Sequence, residues 1–361
     1  MAMACDGGGN DEALTNDGDI FPANLAEMVA SLPQGSHGIL NPSLRQYRGF
    51  WLPDAVLLDL PRVHASYEKS PAPADILLAS LPKSGTTWLK ALAFATARRS
   101  LHSPFDGVHH PLLSSSSPHA CVKFIETLRF LEDDGTDTEP RPRLMSTHLP
   151  YSLLPRRARA GGSGSGSGCR IVYIARDPKD TLVSLWHFDA GVKWSSQAEG
   201  GTAAAALEFE EAFELYCRGI CGFGPHWEHA REYWEASKRT PGSVLFLRYE
   251  EMLQDPAGNL RKMAQFMGCP FSAEEEDAGV VRAILELCSL DKQRNLAVNK
   301  TGAYKLYSGG FTIENRFFFR KGVVGDWRNH MTPEMAARLD GVAEEALEGS
   351  GFTFANATPS N

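Results

Sequence analysis

Apolar positions gather in four short runs, and none of them alternates with polar residues. The first spans residues 76–81 (Ile-Leu-Leu-Ala-Ser-Leu), and the others follow at 143–149, 169–175 and 244–247. Short apolar runs without alternation predict strands covered on both faces, as in a parallel sheet with helices on either side. After the first run come Pro82, Gly85 and three hydroxyl residues, then a stretch in which Leu89, Leu92, Ala93 and Thr96 share one helical face. Strand, loop and helix in that order form a P-loop-like unit, with the helix packing back on the sheet and aiming its N-terminus at the loop. The third and fourth runs lead into helix starts of their own. Asp177 precedes Pro178 and Asp255 precedes Pro256, each pair an N-cap followed by proline in the first turn. The predicted fold is therefore α/β, a single domain with a central parallel β-sheet flanked by helices.

Other segments fill in the outline. Residues 1–20, acidic and rich in Gly and Asn, read as a disordered N-terminal tail, leaving 21–361 as the domain. Residues 46–53 cluster aromatics without strand alternation, a patch that either covers the sheet or lines an acceptor pocket. Residues 100–143 are loop-rich, and His109 and His110 within them lack a third ligand at metal-binding spacing, which favours a solvated loop. The tract 161–168 is pure Gly and Ser and predicts a flexible surface loop. Residues 207–237 are helical and aromatic-rich, broken into two helices at Gly222-Phe223-Gly224-Pro225, and a closing helix begins at Thr332-Pro333-Glu334.

Charge and composition narrow the function. The 36 basic and 44 acidic residues give a formal charge of −8, which argues against nucleic acid or an anionic membrane as partner. Any anion site must then be local. Seven cysteines, none in a Cys-x-x-Cys pair, read as reduced and mostly buried thiols of a cytoplasmic protein without structural zinc. The tightest pair, Cys217 and Cys221, is spaced to share one helical face. No apolar run approaches the ~18 residues of a membrane span.

Within this frame the candidate chemistry lies at strand ends, where open parallel sheets carry their ligands. Pro82-Lys83-Ser84-Gly85-Thr86-Thr87-Trp88 joins a helix N-terminus to one cation and several hydroxyl donors, a setting for phosphate. It is not a Walker A loop, because Lys83 precedes the glycine instead of following it. His148 closes the second strand on the same edge, placed for general-base work. Arg176 follows the third strand, and Ser184, eight residues on, can converge with it on one anion. Near the C-terminus Arg320-Lys321-Gly322 pairs two cations with a glycine that lets backbone approach a phosphate.

These four motifs, in this order, resemble the cytosolic sulfotransferases that use 3′-phosphoadenosine 5′-phosphosulfate (PAPS). The early Tyr47-Arg48-Gly49-Phe50-Trp51 and the late Asn299-Lys300-Thr301-Gly302 are similar to the plant-type branch. The resemblance implies transfer of a sulfuryl group from PAPS to a hydroxyl of a small-molecule acceptor, a phenol, flavonoid, steroid or hormone-like alcohol, without a metal. It implies His148 as base and Lys83 as the cation at the leaving oxygen. It further implies that Ser84, Gly85, Thr86 and Thr87 hold the 5′-phosphate. Arg176, Ser184, Arg320, Lys321 and Gly322 would hold the 3′-phosphate, and Trp88, Tyr249 and Ser289 the adenosine. The family's dimer motif would fall at 328–337, where Arg328, Pro333 and Ala337 replace its lysine, valine and glutamate; a monomer or weak dimer is expected. Two other readings stay open. One is a non-catalytic relative that binds PAPS or its desulfated product, 3′,5′-bisphosphoadenosine (PAP). The other is a nucleotide kinase of related fold, although Gly-Lys-Ser/Thr and a magnesium carboxylate at a strand end are not evident.

Overall fold

A computed structural model of the chain describes residues 24–39, 41–69, 75–127, 142–159, 169–191, 207–306 and 311–354. The expected tail at 1–20 and the Gly/Ser tract at 161–168 lie outside the described residues. After a short helix, Leu25–Ser31, comes an antiparallel sheet of β1 (Gln34–Gly38), β2 (Asn41–Tyr47) and β3 (Phe50–Pro53). This corrects the expectation that residues 46–53 lack strand character. Arg48 and Gly49 both take positive φ, 50° and 87°, so a two-residue turn reverses the chain there. Phe50 and Leu52 point into the core, and Trp51 exchanges backbone hydrogen bonds with Phe223 and Gly224.

The central sheet is parallel and five-stranded, in the order β5 (Lys123–Phe124), β6 (Leu144–Thr147), β4 (Ile76–Ser80), β7 (Arg170–Ala175), β8 (Val244–Arg248). Four of these strands are the predicted ones; β5, only two residues long, carries too little pattern to be read. Alternate residues of β4 enter opposite layers. Leu77 and Ala79 join a cluster with Tyr173 and Leu182, whereas Ile76 and Leu78 pack with Leu89, Leu92 and Val172. That two-sided burial is why the run shows no polar alternation. The chain leaves β4 for β5 and β6 on one side and then crosses to β7 and β8 on the other, so the carboxyl ends of β6, β4 and β7 border the switch point of the sheet. A two-stranded ribbon of β9 (Ala303–Leu306) and β10 (Phe311–Glu314) lies outside this sheet.

Three further expectations are amended. Cys221 lies beyond the helix Phe209–Cys217, so Cys217 and Cys221 share no helical face. His110 is buried and caps the short helix Pro111–Ser114 through Nδ1, which accepts from the Leu112 amide at 3.2 Å; only His109 is exposed. The fourth strand leads first into a helix at Tyr249–Gln254, and the Asp255-capped helix Pro256–Met267 follows it.

The foot of the sheet is held by Asp75, 1% exposed, just before β4. Its carboxylate pairs with Arg143 at 2.5 Å at the start of β6, and its carbonyl accepts from the Arg170 amide at 2.9 Å at the start of β7. Removing one partner of a buried pair strands the other charge. Asp75→Ala should therefore cost about 3 kcal/mol in urea denaturation, whereas a loss under about 1 kcal/mol would show the pair to be dispensable.

Candidate active site

The carboxyl ends of β4, β6, β7 and β8 open on one cavity of about 420 Å3. Lys83, Gly85, Thr86, Thr87 and Trp88 line it after β4, His148 after β6, and Arg176 with Ser184 after β7. Tyr249 enters from β8, and Ser289, Arg320, Lys321 and Gly322 complete the wall. Of the residues singled out from sequence, Ser84 alone is not on this wall; it is fully buried and its Oγ has no hydrogen-bond partner.

The loop after β4 depends on backbone that few residues adopt. Gly85 sits at φ 109°, and a Cβ there would come within 2.8 Å of the Tyr249 ring. As N-cap of the helix Thr86–Ala97 it contributes no side-chain acceptor, so the amides of the first turn stay available to an anion. The Thr86 hydroxyl is 2.6 Å from Ser80 Oγ, which ties the helix start to β4. Trp88 and Tyr249 meet edge to face with ring centroids 5.7 Å apart.

Arg176 joins the cavity's separate parts. Its guanidinium donates to the Lys83 carbonyl at 3.2 Å and to the Val323 carbonyl at 2.9 Å, and lies 4.7 Å over the Tyr249 ring. From the next helix the buried Asp180 carboxylate accepts the amides of Gly325 at 2.6 Å and Trp327 at 3.0 Å. The loop bearing Arg320 and Lys321 is thus anchored beside Arg176. Gly322, at φ 67°, leaves no room for a Cβ, which would meet Leu290 at 2.7 Å.

Among the described residues no carboxylate lines the cavity, so its cations repel one another. Burial first, then Arg176 and Arg320, push the Lys83 amine down to about 7. Its Nζ donates to the Phe317 carbonyl at 3.1 Å and lies 4.0 Å from the Phe188 ring centroid. Behind the wall Asp326 accepts from Arg320 at 2.5 Å and Lys321 at 2.7 Å. Burial alone would raise Asp326, but these partners and Asn329 hold it far below the usual carboxylate range.

His148 faces the same space with its tautomer set. Nδ1 lies 2.7 Å from the Ser80 carbonyl, which can only accept, so the proton is on Nδ1 and Nε2 keeps its lone pair. Burial drives the imidazole down to about 3, against the Ser80 bond and with help from Lys90, His229 and Lys83. The ring is therefore a neutral acceptor near pH 7. Its amide donates at 2.6 Å to Glu126, a carboxyl pushed up to about 7 by burial, and its carbonyl is 3.0 Å from His229 Nε2.

Three residues here were not picked out from sequence: Lys90, His119 and Glu126. Lys90 is the lone charge in an otherwise apolar and hydroxylic helix, and that isolation was a usable signal. His119 and Glu126 sit in a loop-rich stretch and gain meaning only from what they touch. The rest of the lining is largely apolar, with Phe124 and Phe223 against the His148 ring and Phe188 and Phe318 beside the Lys83 amine.

Fold and site define a P-loop-like α/β protein with an anion cleft beside a neutral histidine. The sulfotransferase domain family matches residues 73–351. Cytosolic sulfotransferase 9 of Arabidopsis thaliana is 41% identical over 341 residues, covering 91% of this chain and 92% of its own. Among solved structures, an Arabidopsis thaliana sulphotransferase superposes with a TM-score of 0.66 at 30% identity, over 95% of this chain and all of its own. Mouse sulfotransferase SULT7A1 complexed with PAP gives a TM-score of 0.58 at 25% identity, over 85% of this chain and 95% of its own. The chain belongs to the sulfotransferase family and is a sulfotransferase.

An anion bound beside Lys83 favours the ammonium, so binding takes up a proton once the pH exceeds the amine's own value of about 7. Affinity for inorganic sulfate, whose charge is constant in this range, should fall up to about tenfold per pH unit above that point. Titration calorimetry from pH 6 to 9 tests this, with Lys83→Arg, always charged, expected to give a flat profile. A slope in wild type that persists in the arginine variant would assign the titration to another group.

Proposed function

We propose that the protein transfers the sulfuryl group of PAPS to the hydroxyl of a small, largely apolar acceptor by in-line displacement. The observation that carries this reading is the presence of Lys83, His148, Arg176, Arg320 and Lys321 on the wall of one cavity. The 5′-phosphate lies at the start of the helix Thr86–Ala97, held by its amides and by Thr87. The 3′-phosphate lies among Arg176, Ser184, Arg320, Lys321 and the Gly322 backbone, where planar and point cations combine on a dianion. Adenosine packs by Trp88, Tyr249 and Ser289. The relative bound to PAP, with its likeness in fold, supports a nucleotide of this kind in the cleft.

In the transfer, the acceptor oxygen forms a bond to sulfur while its proton passes to Nε2 of His148. The bond from sulfur to the bridging oxygen breaks, and that oxygen leaves with PAP, its charge met by Lys83. The aromatic lining favours acceptors such as phenols, flavonoids, steroids or hormone-like alcohols. Fixed cations supply the charge stabilisation that kinases draw from magnesium. The neutral histidine favours turnover over mere retention of PAP.

Two substitutions separate the roles. His148→Ala should lower kcat at least about 100-fold while leaving the Kd for PAP within about twofold, since the base acts on the acceptor. Loss of PAP binding as well would make the histidine structural. Arg176→Ala should weaken PAP at least about tenfold more than it weakens adenosine 5′-phosphate, which lacks the 3′-phosphate. Equal losses in calorimetric titrations would mean that Arg176 only ties the two loops together.

A further inference from the structure

Lys90 is the one charged side chain of the helix Thr86–Ala97, and it is fully buried. A buried amine is costly unless its N–H groups find partners. Nζ lies 3.2 Å from Nδ1 of His119 and 3.2 Å from the centroid of the Phe124 ring. The opposite ring nitrogen of His119, Nε2, is 3.0 Å from Oγ1 of Thr87. His119 is 2% exposed, with Phe318 packed at a centroid distance of 4.0 Å, and its edge reaches the cavity wall. A line of hydrogen bonds therefore runs from the interior, through Lys90 and His119, to a hydroxyl on the anion cleft.

The direction of the protons along that line follows from what each group can give. Burial drives the Lys90 amine well below its ordinary value, but in either protonation state Nζ keeps at least two N–H groups, one for the face of Phe124, which attracts N–H and offers no proton, and one for Nδ1 of His119. Nδ1 of His119 then accepts. Burial, and after it Lys90, His148 and Lys83, hold this imidazole well below its ordinary value, so it carries one proton. That proton sits on Nε2 and is donated to Thr87 Oγ1. With its lone pair occupied from behind, the threonine hydroxyl has its own proton free for the cavity. The reverse tautomer would take that proton into the Thr87–His119 bond.

We propose that Lys90 and His119 are positioning residues of the donor site, which fix the histidine tautomer so that the Thr87 hydroxyl donates to the 5′-phosphate of the bound nucleotide. This deepens the donor-site assignment above and rests on it. Thr87 touches the ligand; the other two act only through it.

The test is a cycle of PAP titrations by calorimetry, with thermal unfolding to confirm that each variant folds. Thr87→Val and His119→Leu should each weaken PAP about tenfold, the loss of one charge-assisted hydrogen bond. Because His119 works through Thr87, the double variant should bind no worse than Thr87→Val. His119→Gln, which presents an amide N–H near the position of Nε2, should recover binding to within about threefold of wild type. Lys90→Met, which keeps the volume, should weaken PAP about tenfold in the wild-type background and have no effect in His119→Gln, where no tautomer needs setting. Additive losses in the double variant, or His119→Gln binding as poorly as His119→Leu, would overturn the inference. If a His119 variant does not fold, Lys90→Met decides alone, and unchanged PAP affinity overturns it. Wild type that binds no PAP overturns the donor site itself, a result distinct from wild-type binding with additive penalties.

Discussion

The cleft depends on one side chain that binds no neighbour of its own motif. Arg176 closes β7, and its guanidinium spans the Lys83 carbonyl at 3.2 Å and the Val323 carbonyl at 2.9 Å. The first of these belongs to the loop after β4 and the second to a loop almost 150 residues further along the chain. Arginine suits the task because its planar fork directs several donors at fixed angles, and it stays charged when buried. Asp180 reinforces the same junction from the adjoining helix by accepting two amides of that distant loop. Without this stitching, the Arg320-Lys321-Gly322 segment would be a cationic surface turn, since the strands alone do not reach it.

Gathering cations in an enclosed space carries an electrostatic penalty that the structure distributes. Lys83 takes part of it by shifting down to about 7, so the cleft by itself carries less positive charge than its composition suggests. Asp326 takes another part from behind, at 2.5 Å from Arg320 and 2.7 Å from Lys321. It is 4% exposed and off the cavity wall, so it can neutralise these side chains without occupying the position of a ligand oxygen. A polyanion entering the cleft would meet cations already oriented and only partly compensated, which is the preorganisation that binding requires.

Much of this was legible in the residues because the signals are local. An apolar run without alternation, a glycine before a helix and an Asp-Pro cap each state their structure within a few positions, and β4, β6, β7 and β8 follow from them. Three of the four motifs could be placed on one edge because parallel strands put their carboxyl ends together; the fourth, Arg320-Lys321-Gly322, follows no strand of that sheet. What escaped is what depends on distant partners or on short elements. β5 has two residues and no period; the turn at Arg48 and Gly49 hides a hairpin because an arginine at positive φ leaves no mark in the sequence. Ser84 belongs to the right motif but faces the interior, since a loop at this density cannot present every side chain to one cavity. His119 and Glu126 read as ordinary polar residues until Thr87, Lys90 and the His148 amide come within 3.2 Å of them.

In the role proposed above, His148 links the two halves of the chemistry. Its imidazole stands at about 3, so it is unprotonated near pH 7 and a weak base. The shift comes from burial and from nearby cations, and the second cause is reversible. A nucleotide that brings negative charge against Lys83 cancels part of the field acting on the imidazole and stabilises its protonated form. Glu126 accepts the His148 amide and the Ser80 carbonyl takes the Nδ1 proton, so any gain in basicity appears at Nε2.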